Sequence, residues 1–243
     1  MAAKVKAKPY SWPIEAGIDP KTTALVIIDM QRDFCSPGGY LAQQGYNISP
    51  VLDVIPRIQC LLEAFRRDDF PIYHTREGHR PSLATLSSRE YHRSKLSPLG
   101  IGDAGPLGRL LIRGEEGHSI ISELTPSSEE EIIDKPGRSA FAHTEFDLML
   151  RIKGIKNLII VGVTTDVCVH STMREANDRA YDCLLVEDAC AASGKGLHEG
   201  AIGSVMAEGG IFGAVGKTVD VLKALGAEIP EYLKGGDIEG RLF

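Results

Sequence analysis

Two apolar runs constrain this chain more than any other feature: "TALVIIDM", Thr23 to Met30, and "NLIIVGV", Asn157 to Val163. Both are continuous and rich in β-branched residues. A strand with one wet face alternates apolar and polar residues. A run without alternation fits a strand covered on both faces, as in a parallel sheet. Further strands are read at "PIYHT", "EIIDK", "DCLLVED" and "GIFGAV". Between them lie helical patterns: "VLDVIPRIQCLLEAFRRDD", with Pro56 a local complication, then "EFDLMLRIKGI", "DVCVHSTMREANDRA", "LHEGAIGSVMAE" and "TVDVLKALG". In the third of these, Val169, Met173, Ala176 and Ala180 share one helical face.

Alternating strands and helices imply an α/β domain whose parallel sheet is covered by helices on both sides. The length, 243 residues, suits one or at most two domains. We take residues 1–243 as one domain, with 1–20 an N-terminal extension and 226–243 a C-terminal tail. That tail is expected on the surface or against a neighbouring subunit. The stretch from Arg76 to Ser128 has no clear strand and is rich in glycine and charge. A segment that long is usually functional or partly structured. We read it as an excursion near the site or an oligomer contact.

The formal net charge is -6, and no basic stripe is visible, so nucleic acid is not an expected partner. No apolar run reaches the ~18 residues of a membrane span, and the start lacks the apolar core of a secretory signal. A cytoplasmic location is the expectation. The five cysteines, Cys35, Cys60, Cys168, Cys183 and Cys190, include no Cys-x-x-Cys pair. Free thiols in a reducing compartment are the expected state.

Ligands of open α/β sheets bind beyond the carboxyl ends of the strands. Three polar residues fall there: Asp29, Lys135 and, just past Thr164–Thr165–Asp166, Cys168. The first turn of a helix and a nearby ammonium would favour a thiolate at Cys168. Asp29 would then accept and donate protons, and the N–H groups of Thr164 and Cys168 would hold an oxyanion. Each residue also has a plainer reading: Asp29 as a helix cap, Lys135 as a surface lysine, Cys168 as core. His170 lies two positions past the cysteine, about 200° around a helix of ~3.6 residues per turn, and is not its partner. His74 and His79 are too weakly patterned to make a metal site, and the glycine-containing stretches match no nucleotide loop. Neither metal nor cofactor is expected.

The stretches "ALVIIDMQRDFC", "IIDKPGRSAF" and "GVTTDVCVHSTMREANDRAYDCLLVEDACAA" resemble the isochorismatase-like cysteine hydrolases over about residues 20–225. The resemblance implies a three-layer α/β/α fold with a six-stranded parallel sheet of order 3-2-1-4-5-6, a triad of Asp29, Lys135 and Cys168, and a cis peptide at Val163–Thr164. Within the family, "HTREGHRPSL" and "GIGDAGPLGRLLIRGEEGHSIISEL" are most similar to enzymes acting on biuret or triuret. A cysteine-dependent amidohydrolase is implied, cleaving a ureide through an acyl-enzyme. The alternatives are a ureidoacrylate or N-carbamoyl substrate, or a non-catalytic ligand-binding member. Phe34, Arg76, Phe141, Thr165, Glu208 and Phe212 are the candidate substrate contacts. Glu208 stands where the biuret enzymes carry Gln, and a carboxylate can only accept hydrogen bonds. A homo-oligomer, by resemblance a tetramer, is expected.

Overall fold

A computed structural model describes residues 3–234. Its main sheet has seven strands: β1 (Ala7–Lys8), β2 (Thr23–Ile28), β3 (Ile72–Glu77), β4 (Glu131–Lys135), β5 (Asn157–Val163), β6 (Asp182–Ala191) and β7 (Ala214–Gly216). Their spatial order is β1-β7-β6-β5-β2-β3-β4. The six strands β2 to β7 are parallel and follow the expected order, and β1 adds an antiparallel edge against β7. Two residues with no apolar pattern gave no sign of that seventh strand. It is fixed by the segment around it: Val5 and Trp12 bond to each other's backbone, and both are fully buried.

Strand parity distributes the core over two layers. Leu25, Ile27, Ile159 and Val161 face Ile58, Leu61 and Phe65 of helix α1 (Ile55–Arg67). Pro56 sits in the first turn of α1, where its missing N–H is harmless. On the other face, Val26, Ile28, Leu158 and Ile160 meet Phe146 and Leu150 of α3 (Phe146–Ile152) and Met173 of α4 (His170–Asp178). Helices α5 (Lys195–Gly210) and α6 (Thr218–Ala224) complete the layers.

The excursion after β3 is built rather than structureless. It contains α2 (Ser88–Ser94), a short hairpin and two 3-10 turns, and it buries Leu110, Leu111, Ile112 and Leu124. Asp33 ties it to the turn after β2: Oδ1 accepts from Tyr40 N at 3.2 Å and Oδ2 from Leu111 N at 3.1 Å. Gln31 and Ile120 form an isolated bridge between the same two segments. At the other end, the Tyr232 hydroxyl meets Cys60 Sγ at 2.9 Å and Pro56 O at 3.2 Å, so this part of the tail lies on α1. The rest of the tail falls outside the described residues. No helix among the described residues is long and apolar enough to cross a membrane.

Candidate active site

The carboxyl ends of β2, β3, β4 and β5 deliver four functional groups to one buried point. Asp29 follows β2 directly, with a positive φ of 50° that is uncommon for a residue bearing a Cβ. Its backbone leaves the strand there. The bend is pinned by Thr75, whose Oγ1 accepts from Asp29 N at 3.1 Å and donates to Asp29 Oδ1 at 2.6 Å. Lys135 ends β4 on the same face as buried Ile133, so its long side chain runs inward. Its Nζ lies 2.7 Å from Asp29 Oδ2 and donates to Gly137 O at 2.8 Å. Lys135 and Asp29 thus form a buried, hydrogen-bonded ion pair.

Cys168 does not lie in the first turn of an ordinary α-helix. Thr165–Val169 forms a wide π-type turn that runs into α4. The Val163–Thr164 peptide before it is cis. Val167 N and Val169 N both bond to Thr164 O, whereas neither Thr164 N nor Cys168 N bonds to a backbone group outside its own turn among the described residues. These are the two donors read from the sequence as an oxyanion hole. Gly162 makes the close approach possible: a Cβ there, at φ +110°, would stand 2.2 Å from Ile28 O.

The fourth group is Glu77, which sequence reading passed over. It ends β3 and is the register partner of Lys135. Glu77 Oε2 accepts from the Cys168 thiol at 3.1 Å and lies 3.5 Å from Lys135 Nζ. Donor atoms of Asp29, Glu77 and Cys168 all fall within 4.8 Å of one another, close enough to ligate a cation. Lys135 already brings a positive charge to both carboxylates. All of these residues are buried, with Asp29 and Lys135 at 0% exposure.

Burial decides the electrostatics. It raises the Asp29 carboxyl above its ordinary value, against the lowering effect of Lys135. It also pushes the Cys168 thiol well up; Lys135 opposes this, while Glu77 and Asp29 add to it. Burial thus works against the thiolate that the turn and the lysine would favour. Lys135 stays charged: burial alone would lower it, but Asp29, Cys168 and Glu77 together hold it above its ordinary value.

The other candidates divide. Thr165 is buried beside the thiol, its hydroxyl 2.8 Å from His198 Nδ1. Phe141 is buried in the same apolar cluster as Cys168 and stacks on Tyr181. Phe34 is buried in the turn after β2, its ring edge to Tyr40. Arg76 and Glu208 are not brought in, and Phe212 packs against the Cys168 cluster. Arg76 points to the opposite face of β3, where it binds Asp134 at 2.7 and 3.0 Å, because strand side chains alternate and Thr75 and Glu77 take the site face. Glu208 is exposed in a left-handed break at the end of α5. Phe212 packs on His170 and Arg174 of α4. An open cleft of about 440 Å³, lined by Arg32, Cys35, Leu52 and Ile121 among others, includes none of the four central groups.

One basic feature borders the cluster. Arg138, three residues past Lys135, and Arg93 of α2 both donate to buried Glu90. Although burial alone would raise Glu90, these two bonds outweigh it and bring its carboxyl down to about 2. Glu77 adds to the field that keeps Arg138 charged.

Fold and site together define a doubly wound α/β domain with a thiol, an ammonium and two carboxylates at its strand ends. The isochorismatase domain matches residues 23–216, and the chain belongs to that family. A ureidoacrylate amidohydrolase RutB of Caulobacter segnis is 31% identical, over 90% of this chain and 92% of its own length. The RutB of Acinetobacter baylyi is 33% identical over 72% of this chain and 73% of its own. A cysteine hydrolase from Pseudomonas syringae pv. phaseolicola superposes with a TM-score of 0.75 at 25% identity, covering 92% of this chain and 97% of that one.

Proposed function

We propose that this protein is a cysteine amidohydrolase acting on a ureide, an N-carbamoyl compound of the ureidoacrylate type. The observation that carries this is the convergence of Cys168, Asp29 and Lys135 beside the N–H groups of Thr164 and Cys168. In the first half-reaction the thiol proton passes to Asp29 Oδ2. Cys168 Sγ bonds to the carbamoyl carbon, and the carbonyl oxygen draws its charge onto the two N–H groups. The C–N bond then breaks as Asp29 returns the proton to the departing nitrogen. In the second, Asp29 takes a proton from water, the hydroxide displaces sulfur, Asp29 returns the proton to the departing thiolate, and a carbamate-type product leaves. Lys135 keeps Asp29 oriented and offsets the negative charge of the thiolate.

The relatives support a substrate with a carboxylate at its far end. Arg138, although paired with Glu90, is the candidate guanidinium to meet it, since it follows Lys135 by three residues whereas Arg76 lies on the other face of β3. Phe34, Phe141 and Thr165 would wall the reacting end. Biuret or triuret remains the second reading, favoured by "HTREGHRPSL" and the glycine-rich stretch after it; ammonia would then be the departing group. The test is an assay of the purified protein for amine and ammonia release from ureidoacrylate, N-carbamoyl amino acids, biuret, triuret and nicotinamide. Turnover highest with ureidoacrylate or an N-carbamoyl acid is expected. Turnover of nicotinamide alone, or of none of the five, would refute the reading.

A further inference from the structure

The Cys168 sulfur lies 3.1 Å from Glu77 Oε2, within hydrogen-bond reach of that carboxylate. Asp29 Oδ2 meanwhile faces Lys135 Nζ at 2.7 Å. The thiol's hydrogen bond thus goes to Glu77 rather than to Asp29, the base of the proposed reaction. Glu77 is also no loosely placed side chain. Gln31 clamps it through the backbone: Glu77 N donates to Gln31 Oε1 at 2.7 Å, and Gln31 Nε2 donates to Glu77 O at 3.0 Å. Gln31 follows Asp29 by two residues, and Asp29 is itself bound to Thr75. Two reciprocal clamps, Asp29–Thr75 and Gln31–Glu77, therefore hold the two carboxylates in fixed relation across adjacent strand ends.

A carboxylate only accepts hydrogen bonds. The thiol is the donor on Oε2, and Lys135 is the cation beside it. We propose that Glu77 is a substrate-responsive latch on the nucleophile: it keeps the Cys168 thiol protonated until an N–H of the bound substrate takes the place of the S–H on Oε2. The inference rests on the amide reading, since an amide or ureide carries N–H groups beside its reacting carbonyl and an ester does not. Once displaced, the S–H turns to Asp29 Oδ2. The proton moves to that oxygen, the sulfur keeps the electron pair, and attack follows. No group is oxidised or reduced. Glu77 thereby selects for N–H-bearing substrates and spares the empty enzyme's thiol from passing electrophiles. The field of Glu77, together with that of Asp29, acts in the same direction on the thiol, opposing its ionisation.

The experiment is iodoacetamide labelling of the full-length, substrate-free protein, with Cys168 occupancy followed by peptide mass spectrometry between pH 6 and 10. Wild-type Cys168 is expected to label slowly at pH 7. Glu77→Gln removes the charge but keeps the shape and the Gln31 backbone clamp, and is expected to label about tenfold faster at pH 7, its rate–pH curve displaced by about one unit toward acid. Glu77→Asp keeps the charge and is expected to stay near the wild-type curve. A merely structural role for Glu77 would move both variants together. Equal labelling of wild type and Glu77→Gln, or equal acceleration in both variants, would overturn the latch. So would rapid wild-type labelling at pH 7, a result that stands even if Glu77→Gln does not fold. Because no substrate is used, failure here leaves the proposed amide hydrolysis to be judged by its own assay.

Discussion

Asp29 and Thr75 exchange two hydrogen bonds across neighbouring strand ends, Asp29 N to Thr75 Oγ1 and Thr75 Oγ1 to Asp29 Oδ1. The exchange leaves Oδ2 as the carboxylate oxygen facing Lys135. Orientation of the base is thus a property of the sheet, set before any ligand arrives.

Asp29→Asn should therefore remove proton transfer without removing the fold. An amide at this position can still accept from Thr75 but cannot carry the proton. General acid–base catalysis contributes roughly 10²- to 10⁴-fold, so kcat for the best ureide should fall by about that factor. Steady-state kinetics together with a thermal melt check it; an active Asp29→Asn would remove Asp29 from the reaction.

Lys135→Met should be a stability variant as well as an inactive one. It leaves two buried carboxylates without their shared cation. Breaking a buried pair costs about 3–5 kcal/mol. Burial already raises the Asp29 carboxyl, and the lysine opposes that rise. With the lysine gone, the carboxyl would stand further above its unfolded value, so the penalty is expected to be largest at neutral pH and to shrink as the pH falls. Urea unfolding at pH 7 and pH 4.5 gives the comparison; a pH-independent loss would contradict it.

Asp33 provides a second pH signature. Burial pushes its carboxyl up to about 6, although its bonds from Leu111 N and Tyr40 N pull the other way. A carboxyl raised in the folded state adds stability that is complete below its unfolded value, near 3.9. That contribution is lost as the pH rises through about 6. From an ordinary value of 3.8 to about 6, it amounts to about 3 kcal/mol at ~1.4 kcal/mol per unit. Asp33→Asn, neutral throughout, should lack this slope between pH 4 and 7, as chemical denaturation would reveal. It should also be less stable overall, because an amide oxygen replaces only one of the two acceptors.

Arg76→Ala should change little. Its partner Asp134 is 31% exposed, and such pairs are worth about 1 kcal/mol or less. Activity within about twofold of wild type is expected in the same assay. A large loss would place the guanidinium at the substrate after all.

The fold was legible because its strands are continuous apolar runs, and a strand's end can be located from such a run. That is why Asp29, Lys135 and Cys168 could be named from sequence and why β4 and β5 have the bounds read for them. Glu77 was missed for the converse reason. The strand "PIYHT" was ended at Thr75, whereas β3 continues to Glu77. Two more residues of alternation put Glu77, not Arg76, on the site face. Glu208 was misplaced because its helix breaks at Ala207, Glu208 and Gly209, and nothing in periodicity marks that break. Burial of Cys168 works against the thiolate that the turn and the lysine would favour, and neither that burial nor the built excursion after β3 shows in a periodicity. Such a long segment, built from short turns, has no period to read.

The most direct test of the nucleophile is intact-protein mass spectrometry of Cys168→Ala and wild type, quenched during turnover of whichever ureide the wild type hydrolyses fastest. Wild type should carry a covalent acyl fragment on Cys168 and turn over, whereas the folded alanine variant should show neither adduct nor product. Wild-type turnover by Cys168→Ala, or an adduct on another residue, would contradict the account.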